Sequence, residues 1–321
     1  MLPTRDAIAA AARRIAADLR ETPVLPLDLA GGVVLKLEQL QVAGSFKARG
    51  AFHAIRAAAE ADGRLPGLVV AASGGNHGAA VAAAAQRLGV PAEIFVPEIT
   101  PPAKRARIAG FGATLVVGGA AYDAAREASE ARAAATGARL IHAYDQAEVL
   151  AGQGTLFREW EAQSPVLTHL LVAVGGGGLI GGAAAWHAAG GPTLVAVEPA
   201  GCPCLHAALA AGRPVPAPVG GLAADSLGAR QVGALMFPLA ARLHAAGRLA
   251  AVLVEDAAIR AAQARLWEEA RIAAEPGGAA ALAALLSGAW TPPPGAPVCV
   301  LVCGGNLDPA GLAGPGGRAR A

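Results

Sequence analysis

The sequence has few aromatic side chains and few charges. Aromatic residues make up 4% of its 321 residues and charged residues 16%, while hydrophobic residues make up 54%. A disordered chain needs low hydrophobicity and high charge, so this composition excludes one. The length allows one large domain or two smaller ones with a sizeable core. Because about half of the apolar residues are alanine, we expect a core of small side chains and closely packed helices.

The sequence also lacks an excess of either charge. Its 26 Lys and Arg residues against 24 Asp and Glu residues leave a net charge of +2, and no basic block carries aromatic residues. This pattern argues against a nucleic-acid surface. Arg318 and Arg320 lie in a tail rich in Gly and Ala, which we expect to fray. Four cysteines do not make a disulfide framework in a chain this long, which favours a reducing, cytoplasmic environment.

No segment predicts secretion or insertion into a membrane. The N-terminal residues carry charges from Arg5 onward and lack an apolar core, so they do not form a signal peptide. Residues 166–197 carry no formal charge and have the length of a membrane span. Their four consecutive glycines, however, would cost a helix roughly 3–4 kcal/mol relative to alanine. We therefore expect a buried strand, a glycine turn, a helix and a second strand there.

Apolar runs that predict strands alternate with alanine-rich segments that predict helices. Nine predicted strands read as continuous hydrophobic runs, and ten helical segments fill most of the gaps between them. Continuous runs are typical of parallel strands that are covered on both faces. The alternation predicts an α/β fold with parallel sheets covered by helices.

A run of four glycines connects one predicted strand to the helix that follows it. The run consists of Gly175, Gly176, Gly177 and Gly178. Backbone N–H groups in such a turn, at the start of a helix, favour a bound phosphate. The same letters fit G-x-G-x-x-G, and Glu198 lies 20 residues after Gly178, where a dinucleotide-binding protein would hold a ribose. A dinucleotide-binding oxidoreductase therefore stays open at this point.

Three further motifs offer chemistry. The segment GSFKARG places Lys47 among small and apolar residues, where its pKa would fall and its amine would become a nucleophile. The segment SGGNHG, residues 73–78, offers donors for a carboxylate or an aromatic hydroxyl, unless Asn76 only caps a helix. The segment CGGN places Cys303 at the end of the last predicted strand, where it either reaches a ring nitrogen or fills the core.

In their order along the chain, SFKARG, SGGNHG, GGGGL, EPGGA and CGGN resemble the fold-type II pyridoxal-phosphate enzymes. The resemblance runs from about residue 22 to residue 308 and is strongest to the threonine/serine dehydratases and the related serine racemases. It implies a two-domain α/β fold like that of the tryptophan synthase β chain. A small domain at residues 57–145 would be inserted into a large domain at residues 1–56 and 146–321. It also implies a homodimer.

The resemblance implies that pyridoxal 5'-phosphate is the cofactor. The residues that would hold it are Phe46, Lys47, Asn76, Gly175, Gly176, Gly177, Gly178, Leu179, Glu275 and Cys303. Lys47 would form the Schiff base, Phe46 would pack against the cofactor ring, and Asn76 would bind its 3′-hydroxyl. The glycines would cradle the phosphate, while Cys303 and Glu275 would lie at the ring nitrogen and the ring edge.

The same resemblance implies a lyase of amino-acid catabolism that converts serine or threonine into a 2-oxo acid and ammonia. The residues that would bind the substrate carboxylate are Ser73, Gly74, Gly75, Asn76 and His77. In the racemases of this group a serine stands where this chain has Gly74, so we expect elimination to dominate. Racemisation, elimination from a bulkier 3-hydroxy amino acid and a non-catalytic ligand-binding role stay open. The group often binds a divalent cation beside Glu198, but Cys204 replaces the second acid, so we expect no metal ion.

Overall fold

The computed structural model describes residues 2–164 and 168–307, and the tail around Arg318 and Arg320 lies outside them. The strands are β1 (Val24–Leu27), β2 (Val33–Leu37), β3 (Val69–Ala72), β4 (Ala92–Val96), β5 (Thr114–Val117), β6 (Arg139–Leu140), β7 (His169–Ala173), β8 (Thr193–Pro199), β9 (Leu249–Val254) and β10 (Val298–Val302). The helices are α1 (Arg5–Ile15), α2 (Lys47–Asp62), α3 (Asn76–Leu88), α4 (Pro102–Gly110), α5 (Tyr122–Thr136), α6 (Ala147–Gln163), α7 (Gly178–Trp186), α8 (Cys204–Ala211), α9 (Ala224–Leu227), α10 (Phe237–Ala245), α11 (Asp256–Ala270) and α12 (Pro276–Leu286).

These strands form two sheets. The larger sheet has the order β1-β2-β10-β7-β8-β9 and the smaller has the order β5-β4-β3-β6. Among the described strands, only β1 and β2 pair antiparallel, and all other pairs are parallel. Every residue of β10 is buried, as expected for a central strand with helices on both faces. The α/β fold with helix-covered parallel sheets is therefore confirmed.

Small side chains fill the core, as the composition predicts. Helix α7 is buried along its whole length, and α12 is buried from its second residue to its tenth. A helix that is apolar on all sides belongs inside a protein, because it has no polar face to offer water. Both helices are rich in Ala and Gly, which lets them pack closely against the strands of the larger sheet.

The structure adds elements that the sequence pattern does not reveal. Strand β1 has four residues with a proline among them and lies at the edge of the larger sheet, where a missing N–H group is tolerated. Helix α8 follows a Gly/Pro-containing turn that gives no helix signal. Helix α10 begins at Phe237 rather than at Gln231, because residues 231–236 form a loop.

The smaller sheet falls within the predicted small domain. Its strands run from β3 to β6, inside residues 57–145. The predicted boundary at residue 56 cuts through α2, whose Phe52 and Ile55 pack into the core cluster of the smaller sheet. The domain boundaries themselves stay a prediction.

The uncharged stretch at residues 166–197 contains short elements rather than one long helix. Its described part forms β7, a glycine turn, the nine-residue α7 and most of β8, as predicted. Across residues 2–164 and 168–307, no helix combines the length and the apolar character that crossing a bilayer requires.

A buried network of ion pairs joins α2 to its neighbours. The Arg49 guanidinium donates to both carboxylate oxygens of Glu38, at 2.7 and 2.8 Å, and to Glu159 at 2.9 Å. Lys36 is fully buried in β2 and donates to Glu159 at 2.6 Å. Glu38 directly follows β2 and Glu159 lies on α6, so the network fixes where α2 begins.

We predict that Arg49→Met destabilises the fold strongly. The substitution leaves the Glu38 carboxylate buried without its bidentate partner, and breaking such a pair costs roughly 3–5 kcal/mol. The measurement is the free energy of unfolding of the apoprotein in urea. Arg132→Met is the matched control, because its pair with Glu93 is more exposed and contributes little to stability. Equal losses in the two variants would contradict the prediction.

Candidate active site

A cavity lies where several loops leave the carboxyl ends of strands. The loops after β7 and β10 contribute from the larger sheet, and the loops after β3 and β6 contribute from the smaller sheet. Ligands of open parallel sheets bind at this end of the strands. All ten residues predicted to hold the cofactor line this one cavity.

Lys47 is the lysine that faces the cavity. The chain has three lysines. Lys36 is held within the buried ion network, and Lys104 pairs with Asp225 across the mouth of the cleft. The Lys47 amine donates to the carbonyl oxygen of Ala143 at 2.8 Å, and burial lowers its pKa to about 8. A buried amine with a lowered pKa suits a nucleophile or a base.

The CGGN loop fixes the residues just before Lys47. Ser45 forms a β-bridge with Gly304, and the Phe46 N–H donates to the carbonyl oxygen of Cys303 at 3.1 Å. Gly44 has a φ of +76°, and a Cβ there would lie 2.2 Å from Oδ1 of Asn306. Position 44 in the loop before α2 therefore needs glycine. The contacts bring together the GSFKARG and CGGN motifs, which are about 260 residues apart in sequence.

The glycine turn forms a cradle of backbone donors. Within the described residues, the N–H groups of residues 175–180 have no acceptor. Gly177 has a φ of +91°, and α7 begins at Gly178, so the positive end of a helix points at the same space. A Cβ at Gly176 would lie 2.3 Å from the ring of Tyr144. Free donors, a helix start and a close ring together fit a phosphate group.

Tyr144 is a cavity residue that sequence reasoning missed. Its ring covers Gly176, and its hydroxyl donates to the carbonyl oxygen of Gln231 at 3.3 Å. The adjacent Asp145 accepts from the N–H groups of Ala234 and Leu235, which holds the loop before α10 over the cleft. The sequence offers only a weak signal for this role: Tyr144 is one of two tyrosines in the chain and directly follows a predicted strand. Ser226 also lines the cavity and belongs to no motif.

Asn76 does not cap a helix with its side chain. It is the first residue of α3, and Gly75 takes the cap position without a side-chain bond. The Asn76 amide instead donates to Glu275 and accepts from the Asn306 amide at 2.7 Å. Burial raises the pKa of Glu275 to about 7, although the bond from Asn76 opposes this shift. The three side chains hold the Asn76 amide in one orientation at the cavity wall.

Cys303 provides a neutral group at the cavity wall. Its thiol donates weakly to the carbonyl oxygen of Gly277, at 3.4 Å. Burial and the neighbouring Glu275 carboxyl raise the pKa of this thiol well above its usual range. A thiol in such surroundings stays protonated.

The loop at residues 73–77 offers backbone donors rather than the imidazole of His77. The His77 ring is buried and donates through Nε2 to the carbonyl oxygen of Ile141 at 2.9 Å. Burial and the nearby Lys47 lower its pKa to about 3, so the ring is neutral. Within residues 2–164 and 168–307, the N–H groups of Asn76, His77 and Gly78 find no acceptor. They form a second helix start that suits a carboxylate.

Glu198 does not reach the cavity. It is fully buried, and its two oxygens accept the N–H groups of Leu205 and His206 at 2.7 and 2.8 Å. Glu198 is therefore not available to bind a ribose. The interpretation as a dinucleotide-binding protein depended on this acid and is not supported. The part of the chain that the structure describes contains no cluster of His, Cys, Asp and Glu side chains that would hold a metal ion.

Comparison with known proteins agrees with this geometry. The family model of pyridoxal-phosphate-dependent enzymes matches residues 15–304. L-Threonine ammonia-lyase of Geobacter sulfurreducens is 37% identical over 278 residues, which cover 86% of this chain and 67% of that protein. Phenylserine dehydratase of Ralstonia pickettii is 35% identical over 324 residues, covering 97% of this chain and 96% of that protein. The structure of maize serine racemase superposes with a TM-score of 0.89 at 32% identity, covering 97% and 96% of the two chains.

We predict that Gly176→Ala damages the cradle. The new methyl group would overlap the Tyr144 ring, and overpacking of this kind costs roughly 1–3 kcal/mol. We expect a lower free energy of unfolding together with weaker binding of pyridoxal phosphate to the apoprotein. Gly190→Ala is the control, because a Cβ there meets nothing within 4 Å. A Gly176→Ala variant that matches this control in both measurements would refute the prediction.

Proposed function

The chain belongs to the family of pyridoxal-phosphate-dependent enzymes, and we propose that it is a lyase that removes water from L-threonine or L-serine. The products would be a 2-oxo acid and ammonia. The observation that carries the proposal is the position of the partly buried Lys47 amine, which faces the same cavity as the glycine cradle.

The cavity fits pyridoxal 5'-phosphate. The unpaired N–H groups of residues 175–180 suit its phosphate, and the Lys47 amine suits its aldehyde. Asn76, Glu275 and Cys303 supply polar atoms for the ring substituents. When bound, the cofactor supplies an electron sink for the negative charge that develops at the substrate Cα.

We assign Lys47 the role of the base that removes the Cα proton. A pKa of about 8 leaves a useful fraction of the amine unprotonated near neutral pH, while a free lysine would be almost fully charged. The Ala143 carbonyl oxygen accepts from this amine and so holds it at the cavity wall. A positioned base of this kind contributes about 10²–10⁴-fold to the rate.

We assign the start of α3 the role of binding the substrate carboxylate. The unpaired N–H groups of Asn76 and His77 donate there, and the helix dipole adds attraction for a negative charge. The His77 ring contributes indirectly, since its bond to Ile141 holds the first turn of the helix against β6 and its exit loop. These contacts would bind the substrate carboxylate and so orient the substrate before proton transfer.

The finer parts of the prediction rest on the resemblance alone. We propose serine as a substrate beside threonine, a homodimer, a cytoplasmic location and a catabolic role. Relatives with the word biosynthetic in their names are also similar to this chain, at 37% identity. The similarity to phenylserine dehydratase over nearly the whole chain keeps a bulkier 3-hydroxy amino acid as the second candidate substrate.

The test of the proposed function is a substrate panel with the cofactor-loaded protein. L-Threonine, L-serine and phenylserine are supplied, and 2-oxo acid and ammonia are measured together. We expect both products, and we expect borohydride reduction followed by peptide mapping to find the pyridoxyl group on Lys47. Bound cofactor without any 2-oxo acid would reject the lyase, and a label on Lys36 or Lys104 would reject the site.

We predict that Cys303→Asp impairs elimination while Cys303→Ser leaves it nearly unchanged. The wild-type thiol is neutral and a hydroxyl is also neutral, whereas a carboxylate would favour a proton on the ring nitrogen that faces it. We expect the aspartate variant to lose at least about tenfold in rate, which corresponds to about 1.4 kcal/mol. Absorption spectra and 2-oxo acid formation are recorded for all three proteins. Equal rates for wild type and Cys303→Asp would contradict this assignment.

We predict that elimination from L-serine outpaces racemisation by roughly 10²-fold or more, because Gly74 supplies no acid–base group opposite Lys47. A serine at position 74 alone does not fit, since its Cβ would lie 2.4 Å from Oγ1 of the buried Thr100. Gly74→Ser combined with Thr100→Ala opens this space, so the double variant should form more D-serine than Gly74→Ser.

The measurement follows D-serine and pyruvate in one reaction, and Thr100→Ala alone is the control. D-Serine that appears as fast as pyruvate in the wild type would refute the first expectation. A double variant no better than Gly74→Ser would refute the steric argument.

A further inference from the structure

A buried polar cluster lies directly behind the glycine cradle. It consists of Glu198 near the end of β8 and Cys204 at the start of α8, and neither side chain is exposed. The carboxylate of Glu198 accepts the N–H groups of Leu205 and His206. These two bonds hold the first turn of α8 against β8, and Cys204 is the residue just before that pair.

Cys204 connects this cluster to the cradle. Its thiol donates to the carbonyl oxygen of Gly175 at 3.2 Å. Because a trans peptide is planar and its C=O and N–H point in opposite directions, a bond to this carbonyl also sets the direction of the next N–H. That N–H belongs to Gly176, and among the described residues it has no acceptor. Drawing the Gly175 carbonyl back toward α8 therefore turns the Gly176 N–H away from α8.

The cluster does not suit the divalent cation that related enzymes often bind here. Magnesium and calcium prefer several oxygen ligands, while a thiol is a soft ligand that suits other metals. The two carboxylate oxygens of Glu198 already accept backbone N–H groups, and the place of a second acid is taken by Cys204. The hydrogen bond from the Cys204 thiol instead connects this cluster to the loop that carries Gly175.

We propose that Cys204 is a positioning residue for the phosphate cradle, and that the Glu198–Cys204 cluster braces this cradle without a metal ion. The inference rests on the proposed role of the glycine turn in binding the cofactor phosphate. It concerns cofactor affinity rather than turnover, so it can be tested whatever the substrate is.

The first experiment uses the wild-type protein. Apoprotein is dialysed against EDTA and titrated with pyridoxal phosphate, with and without added Mg²⁺, Ca²⁺ or Mn²⁺. We expect the dissociation constant to stay within about twofold in all four conditions, a difference well below 1.4 kcal/mol. A cation that tightens cofactor binding tenfold, and whose effect EDTA reverses, would overturn the metal-free brace.

The second experiment compares Cys204→Ala with Cys204→Ser by the same titration. Alanine removes the donor, and a net hydrogen bond of ordinary strength corresponds to about two- to tenfold weaker binding. Serine keeps a donor and should restore most of the affinity, which a purely structural role in packing would not require. Cys299→Ala is the matched control, since Cys299 is a buried thiol in β10 for which the described residues provide no hydrogen-bond partner.

The outcomes separate this inference from the proposed function. Equal affinities for wild type and Cys204→Ala would overturn the inference alone, as would a Cys204→Ser variant that binds no better than Cys204→Ala. A similar loss of affinity in Cys299→Ala would show that any buried cavity weakens binding, and would also overturn it. A wild-type protein that binds no pyridoxal phosphate would overturn the proposed function and this inference together.

Discussion

The buried pair between Arg49 and Glu38 is the interaction on which the site depends. Arg49 lies two residues after Lys47 in the first turn of α2, and Glu38 directly follows β2. Burying either charge alone would cost several kcal/mol, so the pair forms only when α2, β2 and α6 are all in place. The position of the Lys47 amine is therefore tied to the register of the larger sheet, although within the described residues that amine itself makes a single hydrogen bond.

The sequence predicts the parts of the site that follow strands. The segments with Lys47, with the four glycines and with Cys303 each lie just beyond a run that alternation identifies as a strand, and parallel strands end at one edge. That they share one cavity is implied by the resemblance of the motifs to one enzyme family, and the direction of the strands agrees with it. Strand β1 was not predicted, because four residues with a proline resemble a loop. Tyr144 was not predicted as a cavity residue, because no motif surrounds it.

Local rules mislead where partners come from far along the chain. Asn76 at a helix start has the residue type of a cap, but its partners Glu275 and Asn306 lie about 200 residues or more away in sequence. Glu198 has the spacing of a ribose-binding acid, but its carboxylate faces α8. Spacing fixes where a residue stands on an element, while the direction of its side chain depends on tertiary contacts that a pattern does not contain.

The ion pair between Lys104 and Asp225 bears on how substrate enters and leaves. It joins α4, beside the smaller sheet, to α9, beside the larger one, and both side chains are in contact with water. A solvated pair of this kind is worth at most about 1 kcal/mol. Breaking this pair alone therefore costs little free energy, and salt weakens the pair further. The bonds from Asn76 to Glu275 and Asn306 also join the loops of the two sheets and are less exposed, so high salt would loosen the entrance first at Lys104 and Asp225.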